Sequence, residues 1–294
     1  MKFKEWQAKH SIEAAYRQSL NNLIRNFFKK AEIYHIVDPN ELIDAFKDYC
    51  QSGNFSAYVN AAASRMTTGL IVDSAKTWRR AAAESMKGPK IYEFLKQEMQ
   101  GPTGARIMEI VNRNAMLIQS LPGDVAVDLN KFIQSEALKG SRSKEIQSGL
   151  RYMPNIQDVR ARVAELTEAR IALIARTETS KASTALTRSR SEDMGLDWYM
   201  WRTSGDIRVR TSHREMNRVL VSWSDAPSPE RLVNEKSNLG HYHAGECPNC
   251  RCYTQPVINI NRIEWPAKVH RSGSIIRMTK NDFENMLNPL KRAA

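Results

Sequence analysis

The sequence predicts an α+β protein, predominantly α: a helical N-terminal region followed by a small antiparallel sheet with a metal-stapled loop. Three observations carry this. Apolar residues recur at helical spacing almost without pause up to Met194. At Gly195 the pattern changes, and short runs of β-branched and aromatic residues take over. Three of the four cysteines and three of the six histidines then fall between positions 213 and 252.

Leu20, Leu23, Ile24, Phe27, Phe28 and Ala31 lie on one i, i+3, i+4, i+7 face. Asp38-Pro39-Asn40-Glu41 reads as a helix restart. Aspartate can accept from first-turn amides, proline suits the first helical position, and glutamate three residues after the cap completes the box. Leu42, Ala45, Phe46 and Tyr49 supply that helix's apolar face, and Cys50 at its end reads as a small core residue. Gly53 is expected to break the chain, with a helix over 56–68 and another capped by Asp73 and closed at Gly88-Pro89. Ile107, Ile110, Val111, Asn114 and Ile118 form the next face, ended by Leu121-Pro122-Gly123. Val125, Leu129, Phe132 and Ile133 follow, to Gly140, and Ser143 caps a short helix through Leu150 before Pro154. Residues 156–194 are nearly continuous helical pattern, long enough that a bend is expected near Thr167-Glu168.

Beyond Gly195, residues 198–203, 218–223 and 252–258 have strand composition, and Pro256 confines the third strand to a sheet edge or to its own end. The polar loop between the second and third strands is long for a compact domain, so it is functional, tied down or disordered. Residues 259–294 read as a basic tail or docking arm. Four segments result: a helical N-terminal region over 1–104, a helical middle region over 105–194, a small metal-binding α+β domain over 195–258, and the tail.

The formal net charge of +12 is spread along the chain, +4 over residues 1–140, +5 over 141–220, −2 over 221–250 and +5 over 251–294. Without a Lys/Arg block, this favours non-specific, salt-dependent attraction to polyanions over sequence reading, and it equally suits a solvated basic surface. No run of apolar residues is long enough for a membrane span. The opening Met1-Lys2-Phe3-Lys4-Glu5-Trp6 lacks an apolar signal core, so synthesis in the cytoplasm and no membrane partner are expected. Four cysteines do not make a disulfide framework in such a chain.

Cys247-Pro248-Asn249-Cys250-Arg251-Cys252 has the shape of a zinc knuckle, and His213, His241 and His243 offer further ligands. Structural zinc would explain how a polar loop is held on a small sheet. The alternatives are a reduced thiol cluster without metal and a disulfide formed after lysis. Spacing does not select the four ligands. Asp206, Arg208 and Arg210 allow a phosphodiester-processing account beside a metal. The favoured reading is that Asp206 caps a turn and pairs with an arginine, that Glu178 pairs with Arg176 on its helix, and that no residue is catalytic.

Three phrases carry a family resemblance: Ile174-Ala175-Arg176-Thr177-Glu178; Trp201-Arg202-Thr203-Ser204 continuing through Asp206, Arg208, Arg210 and His213; and Cys250-Arg251-Cys252. With residues 114–122, which look like an entry helix, the chain over about 105–257 resembles the head morphogenesis (minor head, Mu F-like) proteins of tailed bacteriophages. It departs by one extra residue between Ser204 and Asp206 and by Arg218 where many relatives have glycine. The resemblance implies a structural virion component in the capsid interior at the portal vertex. Its implied partners are the portal protein, a major capsid or scaffolding protein, and packaged double-stranded DNA. It also ranks Cys250 and Cys252 first as ligands, then His213, then Cys247 or His243. The rivals are a zinc-dependent HNH-like endonuclease and a zinc-containing DNA-binding module.

Overall fold

The computed structural model describes residues 3–85, 87–140 and 156–287. The helix expected from Ser143 and the last residues of the expected tail lie outside them. Among the described residues, eight α-helices come first: α1 (His10–Phe28), α2 (Ala31–Tyr34), α3 (Pro39–Gln51), α4 (Gly53–Ala83), α5 (Gly88–Gln97), α6 (Pro102–Gln119), α7 (Leu121–Gly140) and α8 (Ile156–Asp193). Then follow β1 (Trp198–Arg202), α9 (Thr211–Glu215), β2 (Val219–Ser222), α10 (Pro229–Leu232), β3 (Tyr253–Pro256), β4 (Ala267–Arg271), β5 (Ser274–Met278) and α11 (Lys280–Leu287). The α+β class and its helical majority are as the periodicities required. No helix among the described residues is long and apolar enough to cross a membrane.

The chain divides into two compact units. One, residues 13–66 and 111–175, is helical over its described residues. Leu20, Leu23, Phe27, Leu42, Phe46, Phe55 and Val59 are buried in it, as the spacing demanded, and Val125, Leu129, Val159 and Val163 are buried in its other helices. Phe27 lies 5.1 Å from Phe46 and 5.3 Å from Tyr49, and Tyr49 donates its hydroxyl to the Leu23 carbonyl at 3.0 Å. Asp38 caps α3 by accepting from the Asn40 amide at 2.8 Å. Cys50 is buried, and burial pushes its thiol up to about 12, as suits a packed, unreactive cysteine.

The other unit, residues 1–12, 67–110 and 176–294, holds the sheet. Trp6 packs edge-on to Trp78 at 5.1 Å, in a cluster with Ile91, Leu95, Met194, Leu196 and Tyr253. Asp73 does not cap a helix. It sits inside α4, which runs unbroken past both expected boundaries, and its carboxylate pairs with Lys9 at 2.5 Å. Once packing holds a helix together, a mid-helix aspartate is free to pair outward.

The five strands run in the order β3-β1-β2-β4-β5. β1 is antiparallel to β2 and β3, β2 is parallel to β4, and β4 is antiparallel to β5. The three expected strands form where composition placed them, and β3, with Pro256, is an edge. The expected all-antiparallel sheet is corrected to a mixed one, and the expected tail is corrected to β4, β5 and α11. Ser272 and Gly273, with φ of 49° and 77°, make the two-residue turn whose twist suits a hairpin.

Side-chain alternation gives the sheet two buried faces. Tyr199, Trp201, Val219 and Val221 point to one side, with Trp223, Tyr242 and the three clustered cysteines. Met200, Leu220, Val269 and Met278 point to the other, where α11 supplies Phe283, 5.0 Å from Trp198.

Candidate metal centre

The loop between β2 and β3 is tied down. Gly245, at φ 90°, lies against α8 so closely that an added Cβ would stand 2.5 Å from the Thr184 hydroxyl. That hydroxyl donates to the Ala244 carbonyl at 2.6 Å. About two helical turns earlier on α8, the Thr177 hydroxyl accepts from the Asn249 amide at 3.1 Å, and Arg176 donates to the Asn249 side chain at 3.1 Å. Positions 177 and 184 share a helix face, so α8 acts as a rail for the loop. Gly245→Ala should therefore destabilise the protein by about 1–3 kcal/mol through a strained backbone alone, with the steric contact added. A thermal melt equal to wild type would contradict this.

The rail delivers Cys250 and Cys252 to His213, the middle residue of α9. Nδ1 of His213 lies 3.5 Å from the Cys250 sulfur and 3.4 Å from the Cys252 sulfur. All three side chains are buried, and their donor atoms lie within 4.8 Å of one another, a group that could hold a metal ion. The Cys252 amide donates to the Cys250 sulfur at 3.3 Å.

The imidazole is oriented from behind. Tyr242 donates its hydroxyl to Glu230 at 2.7 Å, and the phenolic oxygen lies 2.9 Å from His213 Nε2. Because the phenol spends its proton on the carboxylate, its oxygen accepts from Nε2–H, which turns Nδ1 toward the two sulfurs. A carboxylate behind a histidine is the usual device for presenting it to a metal. Ser212 adds a further bond to Glu230 at 3.3 Å.

Electrostatics follow the same geometry. Burial pushes His213 downward, but hydrogen bonds to Cys247 and Cys250 outweigh it and raise the imidazole to about 9. The hydrogen bond between Cys252 and Cys250 holds the Cys250 thiol well below the ordinary range and the Cys252 thiol well above it. One shared proton between two sulfurs is what a metal would replace.

Of the remaining candidates, Cys247 lies beside the trio and the two other histidines lie apart from it. Cys247 is buried and takes the Arg210 guanidinium on its sulfur at 2.5 Å. The ring of His243 lies 3.1 Å from the Tyr199 hydroxyl and packs against Trp223. His241 is exposed, with its ring 2.9 Å from the Ala226 carbonyl. Asp206 caps its turn, accepting from the Arg208 amide and the Ser204 hydroxyl, each at 2.9 Å. Burial pushes its carboxyl up, but these two bonds and the nearby charges of Arg251 and Arg208 outweigh that and hold it below the usual range, so the expected cap forms with arginines close to it. Glu178 pairs with Lys181 at 3.2 Å, while Arg176 reaches Asn249. Sequence reasoning missed Glu230, Tyr242, Thr184 and Gly245. Only Tyr242, between two histidines, stood near a visible signal.

Residues of all three family phrases line one cleft of about 250 Å3 beside the trio: Arg176; Asp206, Arg208, Arg210 and His213; and Cys250, Arg251 and Cys252. Fold and cluster together define a predominantly helical α+β protein with a buried imidazole–thiol group able to take a metal ion. Residues 136–255 match the family described as Phage Mu protein F like protein, so the resemblance read from the phrases is borne out over that segment. That match suggests a phage head morphogenesis protein. The chain is also 24% identical over 280 residues to an uncharacterized protein of Haemophilus influenzae, covering 88% of this chain and 56% of that protein. It thus spans little more than half of that relative's length. No solved structure matches the chain.

Proposed function

We propose that the protein is a structural minor head protein of a tailed phage, made in the host cytoplasm and built into the capsid interior at the portal vertex. Its partners there are the portal protein, a major capsid or scaffolding protein, and packaged duplex DNA held without sequence preference. The observation that carries the reading is the meeting of all three family phrases at one site, within the segment that matches the Mu F-like family. The net charge of +12 suits contact with packaged DNA.

In this reading the site holds one structural zinc through His213, Cys250 and Cys252, with Cys247 as fourth ligand, His243 being occupied by Tyr199 and Trp223. A closed, four-ligand zinc staples the loop and leaves no position for substrate. The expected result is that heads purified from a phage carrying the gene contain the protein, and that deleting the gene gives defective heads. Infectious particles lacking the protein would overturn the assignment. Metal-dependent nicking of a plasmid by the purified chain, lost in an equally stable Asp206→Asn, would instead promote the HNH-like endonuclease.

A further inference from the structure

The trio supplies three donors, and a tetrahedral structural zinc needs a fourth. Cys247 is buried beside them, but its sulfur stands outside the group whose donor atoms lie within 4.8 Å of one another. Arg210 holds it there. That residue stands at the entry to α9, three residues before His213, so one short helix carries both the imidazole and the guanidinium. Through Nη1 it donates to the Cys247 sulfur, and through Nη2 to the Pro248 carbonyl at 3.0 Å. A planar fork making two bonds fixes Cys247-Pro248 against the start of α9 in one register. The charge balance points the same way. Three thiolates and a neutral imidazole give a divalent ion one negative charge too many, and the Glu230 carboxylate behind His213 adds another. Shielded from water, such an excess is costly unless a cation is paired with it.

We propose that Arg210 is the positioning residue of the zinc centre: its guanidinium keeps the Cys247 sulfur at the edge of the trio and offsets the negative charge of the three-thiolate site, so that Cys247 closes it as fourth ligand. The inference rests on the zinc reading and says what brings the fourth sulfur in. An N–H···S bond leaves a thiolate lone pairs for the metal, so donor and ion can hold the same sulfur together. The Cys250 sulfur has a donor of the same kind in the Cys252 amide at 3.3 Å. Arg210 does for Cys247 what Tyr242 and Glu230 do for His213, fixing the ligand from behind.

The test measures zinc retention by the reduced full chain against a competing chelator. Arg210→Gln, which keeps a donor but removes the charge, should weaken zinc binding about 10–100-fold, the usual cost of losing a group that orients a ligand. Arg210→Lys, which restores the charge without the fork, should fall between Arg210→Gln and wild type. In the cobalt-substituted protein the sulfur-to-metal charge-transfer band should report three sulfurs in wild type and two in Arg210→Gln. A residue that merely stabilised the fold would leave that count alone. Cys247→Ser combined with Arg210→Gln should bind no more weakly than Cys247→Ser, because the guanidinium acts through that sulfur. Arg208→Gln, at an exposed arginine two residues earlier, is the control and should match wild type. If wild type carries no zinc, the zinc reading and this role fall together. If wild type holds zinc and Arg210→Gln holds it as tightly with three sulfurs, the zinc reading stands and the role of Arg210 is overturned. Two sulfurs in cobalt-loaded wild type, a further loss in the double variant, or an Arg210→Lys no better than Arg210→Gln would overturn it as well.

Discussion

Glu98→Ala should cost the protein about 3–5 kcal/mol, because it strands a fully buried guanidinium. Arg190 of α8 is wholly inaccessible and holds Glu98 through two parallel bonds, Nε to Oε2 at 2.7 Å and Nη2 to Oε1 at 2.8 Å. Its third nitrogen donates to Ser74 at 2.8 Å. The pair joins α8 to the turn before α6, and Thr103 beside it bonds Asp193 and Ser189, each at 2.9 Å. Removing the carboxylate leaves a charge that can neither reach water nor lose its proton. Replacing both partners with apolar residues of similar volume should cost much less, since the desolvation of two ions is removed along with their attraction. Urea unfolding of the two variants separates these outcomes. An Glu98→Ala midpoint within error of wild type would show that the pair contributes nothing.

The second large effect concerns the metal and rests on the zinc reading. Purified, reduced protein should carry about one zinc per chain, and a strong chelator should lower the melting temperature of the sheet-containing unit. Structural zinc sites supply on the order of 10 kcal/mol of apparent folding free energy in isolated modules. This unit has its own apolar core, so loss of zinc should loosen the loop and the adjoining β3 rather than unfold every element. Cys250→Ser should reproduce the chelator's effect and abolish zinc retention, because Cys250 touches both other members of the trio. Cys50→Ser should keep the metal and cost only a modest packing loss, since Cys50 is buried far from the site in sequence and belongs to the helical unit. Metal-free wild type with an unchanged melt, or Cys250→Ser that still retains stoichiometric zinc, would rule out the zinc staple.

Much of this architecture was legible because short-range rules govern it. The buried faces of α1, α3 and α6 follow from apolar spacing, and Asp38 caps α3 through a contact two residues away. Pro256 marked β3 as an edge because a missing amide cannot serve two neighbours. What stayed hidden depends on distant partners. β4 presents Ala267-Lys268-Val269-His270-Arg271, too charged to announce a strand, and its place is set by parallel pairing of Leu220 with Val269. Asp73 had the chemistry of a cap, but the Lys9 amine claims it. At the site, spacing offered six donors: His213, His241, His243, Cys247, Cys250 and Cys252. It could not separate His213 from His243, because the distinction is made by Tyr242 and Glu230 behind one ring and by Tyr199 and Trp223 around the other.

The clustering of Trp6 with Trp78 and Tyr253 has a consequence for synthesis. Trp6 leaves the ribosome some 250 residues before Tyr253, its partner in the same cluster. The helical unit closes within residues 13–175 and can form while translation continues. The sheet-bearing unit must wait, its first segment held in readiness and its apolar side chains exposed to chaperones, until β4 has taken its place beside β2. Stalled nascent chains ending before residue 267 should therefore protect the helical unit from protease and leave the amino-terminal segment open to cleavage.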